Sequence, residues 1–211
     1  MRKGEMIGLA ILLSVTLVTI LIYSNLPDKM IIGWDSKGQA IGNTTPKVNF
    51  IKTFLCGLIA IFILFLALSR IGKMRPETEE TRLYYSVALC LSLFVFSLIC
   101  FSVIMWNFGF KHNVSQVVAF CLGIILFYIG RVLGCAKPNW FISLPIPGSK
   151  RDKHVFVKAN SILGKLFCII GALGIISSFV TFYAFFAIHL AVLSTLFVFF
   201  YSVMVIRSNK G

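Results

Sequence analysis

Residues 131–165 read RVLGCAKPNWFISLPIPGSKRDKHVFVKANSILGK, a segment with seven Lys or Arg residues that lies between long uncharged hydrophobic runs. Its first half carries three prolines, which favour an ordered loop without helix. Its second half begins with the capping pattern Ser149-x-x-Asp152 and continues with apolar residues at helical spacing. The segment is therefore predicted to be a polar loop followed by an amphipathic helix that leads into the next hydrophobic run.

The composition places the hydrophobic runs in a membrane. Of the 211 residues, 58% are hydrophobic and only 13% are charged, which excludes a soluble core. The formal net charge of +13 is spread between the apolar runs and is not gathered in a separate basic domain. This distribution is typical of signals that orient a membrane protein, and it argues against nucleic acid as a partner.

The hydrophobic runs predict an all-α, polytopic fold with six transmembrane helices in a single integral membrane domain, residues 1–211. The third run is longer than one span needs, so its helix is expected to end near Trp106 and Asn107. The turn between the last two spans has no Pro or Gly to mark it, and we place it near residues 182–186. The predicted spans are about 6–24, 53–69, 83–106, 114–130, 164–182 and 186–206, with an outer loop at 25–52 and a cytoplasmic loop and amphipathic helix at 131–165.

The basic residues also predict an orientation. Fifteen of the twenty Lys and Arg residues lie on the side that holds both termini, the loop 70–82 and the segment 131–165. Cytoplasmic loops carry such an excess of Lys and Arg. We therefore expect a multi-pass protein of the cell (cytoplasmic) membrane, with these segments in the cytoplasm and the loop 25–52 outside.

The sequence offers no recognisable catalytic set. The motifs H-E-x-x-H and G-x-S-x-G are absent, and no Asp or Glu lies within a predicted span. The six cysteines include no C-x-x-C pair and are interpreted as small buried hydrophobic residues. We therefore predict that the protein is not an enzyme, with no catalytic residue, no metal site and no cofactor, and that it is not an ion-coupled transporter.

Two segments resemble the SdpI-like family of immunity proteins. The first comprises KPNWF at residues 137–141, PIP at 145–147 and KRDKHVFVKANSILGKLF at 150–167; the second is LPDKMIIGWDSKGQA at 26–40. In the second segment Gly33 stands where a His is common in the family. The resemblance implies a six-span membrane protein that gives resistance to a secreted toxic peptide. It also implies that the protein can signal by holding a regulator at the membrane, which is a binding role.

The candidate binding residues fall into an outer and an inner group. In the outer loop, Trp34 and Asp35, together with Met30, Ile31 and Ile32, could recognise an amphipathic peptide. The inner group could hold an acidic surface of a cytoplasmic regulator or the anionic headgroups of membrane lipids, and it comprises Arg131, Asn139, Trp140, Lys150, Arg151 and Lys153.

Other readings remain open for these residues and for the whole chain. Arg131 could snorkel to the interface or anchor the central loop, and Asn139 and Trp140 could order that loop without contacting a ligand. The outer loop could be an ordered cap on the spans or a plain solvated loop. The alternative function is a small channel or facilitator for an uncharged or anionic solute, and an intramembrane hydrolase comes third.

Overall fold

The fold is that of a computed structural model, which describes residues 3–35, 37–70, 79–134 and 153–179, together with four single residues, 193, 196, 197 and 200. Five long helices account for most of the described chain: α1 (Lys3–Ile22), α2 (Lys47–Leu68), α3 (Glu79–Asn107), α4 (Val114–Gly134) and α5 (Lys153–Ser177). A 3-10 turn (Tyr23–Asn25) and two short strands, β1 (Lys29–Ile31) and β2 (Thr44–Pro46), connect α1 to α2.

All five helices are long and apolar enough to cross a membrane. Even α1, with 20 residues, reaches roughly 30 Å, the thickness of a bilayer core. The prediction of an all-α, multi-pass membrane protein is therefore confirmed for the described helices. Most of the predicted sixth span, the turn near 182–186 and most of the central loop lie outside the described residues, and the orientation stays a prediction.

Several helix ends differ from the predicted span ends. Helix α2 begins at Lys47, six residues before the predicted span, because the chain turns into the helix directly after Pro46. Helix α4 runs to Gly134, beyond the predicted end at 130. Helix α3 ends at Asn107, as predicted from the interfacial Trp106 and Asn107. The predicted amphipathic helix and the fifth span form one continuous helix, α5.

The chain divides into two compact units, Met1–Cys121 and Leu122–Gly211. In the first unit α2 runs antiparallel to α1 and α3, and phenylalanine rings fill its interior. Phe54 of α2 is 1% exposed, and its ring centroid lies 5.9 Å from those of both Phe96 and Phe101 of α3. Such interdigitating contacts, more than hydrophobic transfer, hold helices together in lipid.

At the N-terminal end of this unit, α1 meets both other helices. Glu5 is only 3% exposed, and the Ser69 hydroxyl lies 3.2 Å from its carboxylate. Glu5 precedes the predicted first span, but the helix begins at Lys3 and buries it. Gly4 and Gly8 let α1 approach α3 closely, since a side chain on Gly4 would collide with Ser86.

In the second unit α5 runs antiparallel to α4, and the two backbones touch. A Cβ atom on Gly130 would lie 2.6 Å from the backbone nitrogen of Cys168, and one on Gly171 would lie 2.4 Å from the backbone nitrogen of Phe127. Side chains at these positions would force the helices apart. Leu133, Ala159 and Leu163 complete the contact.

The described cysteines are all free, but not all are buried. Cys121 is buried, as expected, whereas Cys56 is exposed on α2. The prediction of buried cysteines is wrong for Cys56, because that side of α2 has no described neighbour and an apolar thiol is compatible with lipid there.

Candidate functional site

The loop between α1 and α2 is an ordered β-hairpin. Of the two alternatives for this segment, an ordered cap and a plain solvated loop, the structure therefore has the ordered one. In its lower part Lys29 pairs with Pro46 and Ile31 with Thr44. Nearer the tip Trp34 pairs with Ala40, so the second strand holds one extra residue. Gly42, with φ of +79°, absorbs that residue in a β-bulge, a backbone conformation that other residues rarely adopt.

The tip of the hairpin is closed by Asp35. Its carboxylate accepts hydrogen bonds from the backbone N–H groups of Lys37 (2.9 Å) and Gln39 (2.7 Å). Gly38, with φ of +80°, completes the turn and donates its N–H to the Asp35 carbonyl. Asp35 was predicted to contact a ligand, and in the structure its carboxylate shapes the loop.

One edge of the hairpin is bound by a helix side chain. The Oδ1 atom of Asn107, the last residue of α3, accepts the Ile31 N–H at 2.8 Å. Its Nδ2 atom donates to the Ile31 carbonyl and to the Val103 carbonyl, both at 2.9 Å. The amide thus satisfies the outward-facing backbone groups of Ile31 much as a neighbouring strand would.

Two residues at the start of α4 hold the tip. The Ser115 hydroxyl donates to the Asp35 carbonyl at 2.8 Å, and the Asn113 amide donates to the Lys37 carbonyl at 3.3 Å. Asn113 also accepts the N–H of Gln116 and so caps the helix. A side chain on Gly38 would collide with Asn113. The hairpin is therefore tied to α3 and α4 at separate points.

An ion pair closes the base of the hairpin. The Lys47 ammonium lies 2.9 Å from the Asp28 carboxylate, and it also donates to the Leu26 carbonyl at 3.3 Å. The hydrogen bond from Lys47 holds the pKa of Asp28 below its ordinary value. Because the Asp28 side chain is 93% exposed, solvent screens this pair, and buried Met30 and the Asn107 bonds secure the hairpin more strongly.

Trp34 packs against Trp106 of α3 beneath the hairpin. The ring centroids are 5.5 Å apart in an edge-to-face arrangement. Lys111 covers the indole of Trp106. Its ammonium lies 3.4 Å from the Trp106 ring centroid and 3.2 Å from the Trp106 carbonyl. The Trp34 Nε1–H is buried and has no hydrogen-bond partner among the described residues.

His112 joins the turn between α3 and α4 to the body of α3. Its Nδ1 lies 2.8 Å from the Phe110 carbonyl, and its Nε2 lies 2.6 Å from the hydroxyl of buried Ser102. Because a carbonyl can only accept, Nδ1 carries a proton, and in the neutral ring Nε2 accepts from Ser102. Sequence reasoning missed this pair, since nothing local links residue 102 to residue 112.

The hairpin end of the first unit presents a smaller apolar surface than the sequence predicted. Met30 is fully buried with Val103 and Ile104 in the helix core, so the prediction that it belongs to a recognition surface is wrong. Ile31 and Trp34 are half-buried. The apolar side chains that remain exposed at this end of the unit include Ile32 (43%), Ile41 (57%) and Phe110 (64%).

Gly33 fits tightly where the family commonly has His. A Cβ atom there would lie 3.0 Å from the Asn43 side chain and 3.1 Å from that of Ile41. A larger residue would push both side chains aside. The position of the exposed Ile41 side chain therefore depends on the small residue at position 33.

Only part of the predicted inner group falls on described residues. Arg131 lies in the last turn of α4 with an exposed side chain. Lys153 is the first residue of α5, but its side chain lies outside the described part, as do Asn139, Trp140, Lys150 and Arg151 altogether. Whether these residues come together as a site stays a prediction.

Among the described residues, no three His, Cys, Asp or Glu side chains are grouped to hold a metal ion.

Comparison with known proteins relates the chain to one family. The SdpI/YfhL protein family matches residues 136–206. The immunity protein SdpI of Bacillus subtilis (strain 168) is 22% identical over 179 residues, which cover 85% of this chain and 83% of that protein. No solved structure matches significantly.

Proposed function

Because the chain is a member of the SdpI/YfhL family and a distant homologue of an immunity protein, we propose that it protects the cell against a secreted toxic peptide at the cytoplasmic membrane. The role is one of binding, and no catalytic step is needed for it. The observation that carries the proposal is the hairpin, an ordered polar cap fixed to the ends of membrane helices.

The hairpin supports peptide recognition by its mixture of surfaces. Ile32 and Ile41 expose apolar side chains next to backbone that is already ordered, so binding would cost little further conformational entropy. Lys29 and Lys37 flank them with positive charge. Such a surface suits the apolar face of an amphipathic peptide, with acidic groups at its border.

The inner part of the proposal concerns the signal. Arg131 lies in the last turn of α4, and Lys150, Arg151 and Lys153 follow in the segment that we expect in the cytoplasm. Together with Asn139 and Trp140 these residues would form the surface that holds a cytoplasmic regulator. The same helix α4 begins at the hairpin tip, where Asn113 and Ser115 bind the backbone of Asp35 and Lys37.

The experiment compares survival and solute flux. The full chain is expressed in cells sensitive to a membrane-active secreted peptide, with the double variant Ile32→Gln, Ile41→Gln and the control Gln39→Ala, an exposed hairpin residue whose side chain makes no described bond. We expect the wild type and the control to protect and the double variant to lose protection.

A second measurement addresses the facilitator. Purified protein in proteoliposomes is tested for flux of small uncharged and anionic solutes. Flux above that of empty vesicles, combined with no protection in cells, would replace immunity by facilitated transport.

A further inference from the structure

The second strand of the hairpin, β2, has an open edge on the side that faces away from β1. The N–H of Ile32 donates to the Asn43 carbonyl, so these two residues form a hydrogen-bonded pair. Hydrogen-bonded and non-hydrogen-bonded pairs alternate between antiparallel strands, and the next pair, Ile31 and Thr44, is therefore not hydrogen-bonded. The N–H and C=O groups of Thr44 consequently point away from the hairpin.

The open edge continues toward the tip. Ala40 lies opposite Trp34, between two hydrogen-bonded pairs, so its N–H and C=O groups also point away from the first strand. Within the described part of the chain, these outward groups of Ala40 and Thr44 have no hydrogen-bond partner. Residues 40–44 are exposed, and the stretch 40–46 carries no charge. Charged side chains often protect such edges from pairing, and here they are missing.

The two edges of the hairpin differ in how their backbone groups are satisfied. On the β1 edge, the side-chain amide of Asn107 bonds the N–H and C=O groups of Ile31 and so takes the place of a strand. No described residue does the same for Thr44 on the β2 edge. A further extended backbone would satisfy that edge, because it presents a donor and an acceptor at the required spacing.

The register argues against a second copy of this chain as the partner. If β2 paired with its own copy about Thr44, Ala40 would lie opposite Val48, which already belongs to helix α2. The ladder would therefore end at Pro46, which has no N–H to donate. A separate peptide has no helix at this point and can follow the whole edge.

We propose that the peptide recognised at the hairpin binds as a third strand along the β2 edge, with hydrogen bonds to Ala40 and Thr44 and an apolar side chain against Ile41. Ile41 is 57% exposed and lies between these two residues in the chain. In recognition of this kind the main-chain bonds supply affinity and the neighbouring side chains supply selectivity. This mode of binding rests on the proposed function, which makes the ligand a peptide, and it adds the conformation in which the peptide is held.

The test compares two neighbouring amides in the full chain, with isotope-labelled threonine and one chain per nanodisc. The Thr45 N–H points toward β1 and is bonded within the hairpin, whereas the Thr44 N–H points outward. The probe is the membrane-active secreted peptide of the survival experiment, and hydrogen exchange is followed by NMR. Without the peptide, the Thr44 amide should exchange about tenfold faster than the Thr45 amide. At saturating peptide its exchange should slow about tenfold, while that of Thr45 should change little.

Two variants at one position separate the backbone donor from the side chain. Thr44→Pro removes the outward N–H but no bond of the hairpin, because an edge strand tolerates proline where its nitrogen faces solvent. It should weaken binding of the peptide about fivefold, whereas Thr44→Val, which keeps the N–H, should change binding by less than about twofold. Protection of the Thr45 amide reports whether the hairpin stays folded in each variant. If Thr44→Pro unfolds it, the two wild-type amides decide.

The outcomes separate the added strand from immunity. No slowing at Thr44 would overturn the added strand, and survival of the cells in that case would leave the proposed function standing. Slowed exchange at Thr44 without survival would instead contradict immunity and keep the edge as a peptide site. Slow exchange of the Thr44 amide before peptide is added, or protection that appears only with two chains per nanodisc, would show that the edge has another occupant and would also overturn the proposal.

Discussion

Asn107 and Ile31 are 76 residues apart in the chain, yet the side-chain amide of Asn107 accepts a hydrogen bond from the Ile31 N–H and donates one to the Ile31 carbonyl. This relationship makes the end of α3 an extra edge for the hairpin. A single amide does this because it presents a donor and an acceptor side by side, as a strand backbone does.

Replacing Asn107 should loosen the hairpin without unfolding the helices. Asn107→Leu removes three hydrogen bonds, each worth roughly 1 kcal/mol net. Hydrogen exchange of the Ile31 amide should therefore rise at least tenfold. Asn49→Ala, at an exposed position on α2, serves as the control and should change nothing. Unaltered protection of Ile31 in Asn107→Leu would mean that the amide contributes nothing to holding the strand.

The contact between α4 and α5 predicts a strict size limit at Gly130. In Gly130→Val the new side chain meets the backbone of α5, which should cost about 1–3 kcal/mol, as overpacked cores do. Thermal unfolding in detergent should shift downward. The control Ala60→Val adds volume on an exposed face of α2 and should leave the transition in place. Equal melting of both variants would contradict the close backbone approach.

The Asp28–Lys47 pair predicts a small dependence of stability on pH. The pKa of Asp28 is lower in the folded protein than in the unfolded chain, so the stabilisation is complete above the unfolded value and is lost as the pH falls through the folded one. The loss therefore occurs below about pH 4. Asp28→Asn should melt with a slightly smaller difference between pH 7 and pH 3 than the wild type. An identical difference in the two proteins would show that the pair adds nothing.

The bias of Lys and Arg predicts the orientation. In a background without native cysteines, a single cysteine at position 37 should react with an impermeant thiol reagent in intact cells, and one at position 150 should react only after lysis. The reverse pattern would place the hairpin in the cytoplasm and remove the basis for recognition of a secreted peptide.

The helices were predictable because long apolar runs signal them directly, and the end of α3 followed from the interfacial character of Trp106 and Asn107. The strands were not predicted. Three-residue strands are too short to show an alternating pattern, and the turn residues around Gly38 and Gly42 also suit an irregular loop.

The details of the site required contacts that sequence alone does not show. Apolar loop residues can face a ligand or the core. Met30 was therefore predicted to face a ligand, although it is buried in the core. The bonds from Asn107 and Ser115 join residues 76 and 80 positions apart. The sequence does carry one signal for the contact between α4 and α5. Glycines recur seven residues apart in both helices, a spacing that favours close helix contact: Gly123 and Gly130 in α4, and Gly164 and Gly171 in α5.

The distance along the chain between the hairpin and its anchors sets an order of events during synthesis. Asp35 emerges 80 residues before Ser115. At about 5–20 residues per second, the ribosome needs roughly 4–16 s to supply that partner. Asn107, the anchor on α3, emerges eight residues before Ser115, so through most of this interval the hairpin has its own turn bonds but no anchor on α3 or α4. The hairpin is therefore fully anchored only once the start of the fourth helix has been made, so a chain halted before α4 would carry an incompletely anchored hairpin.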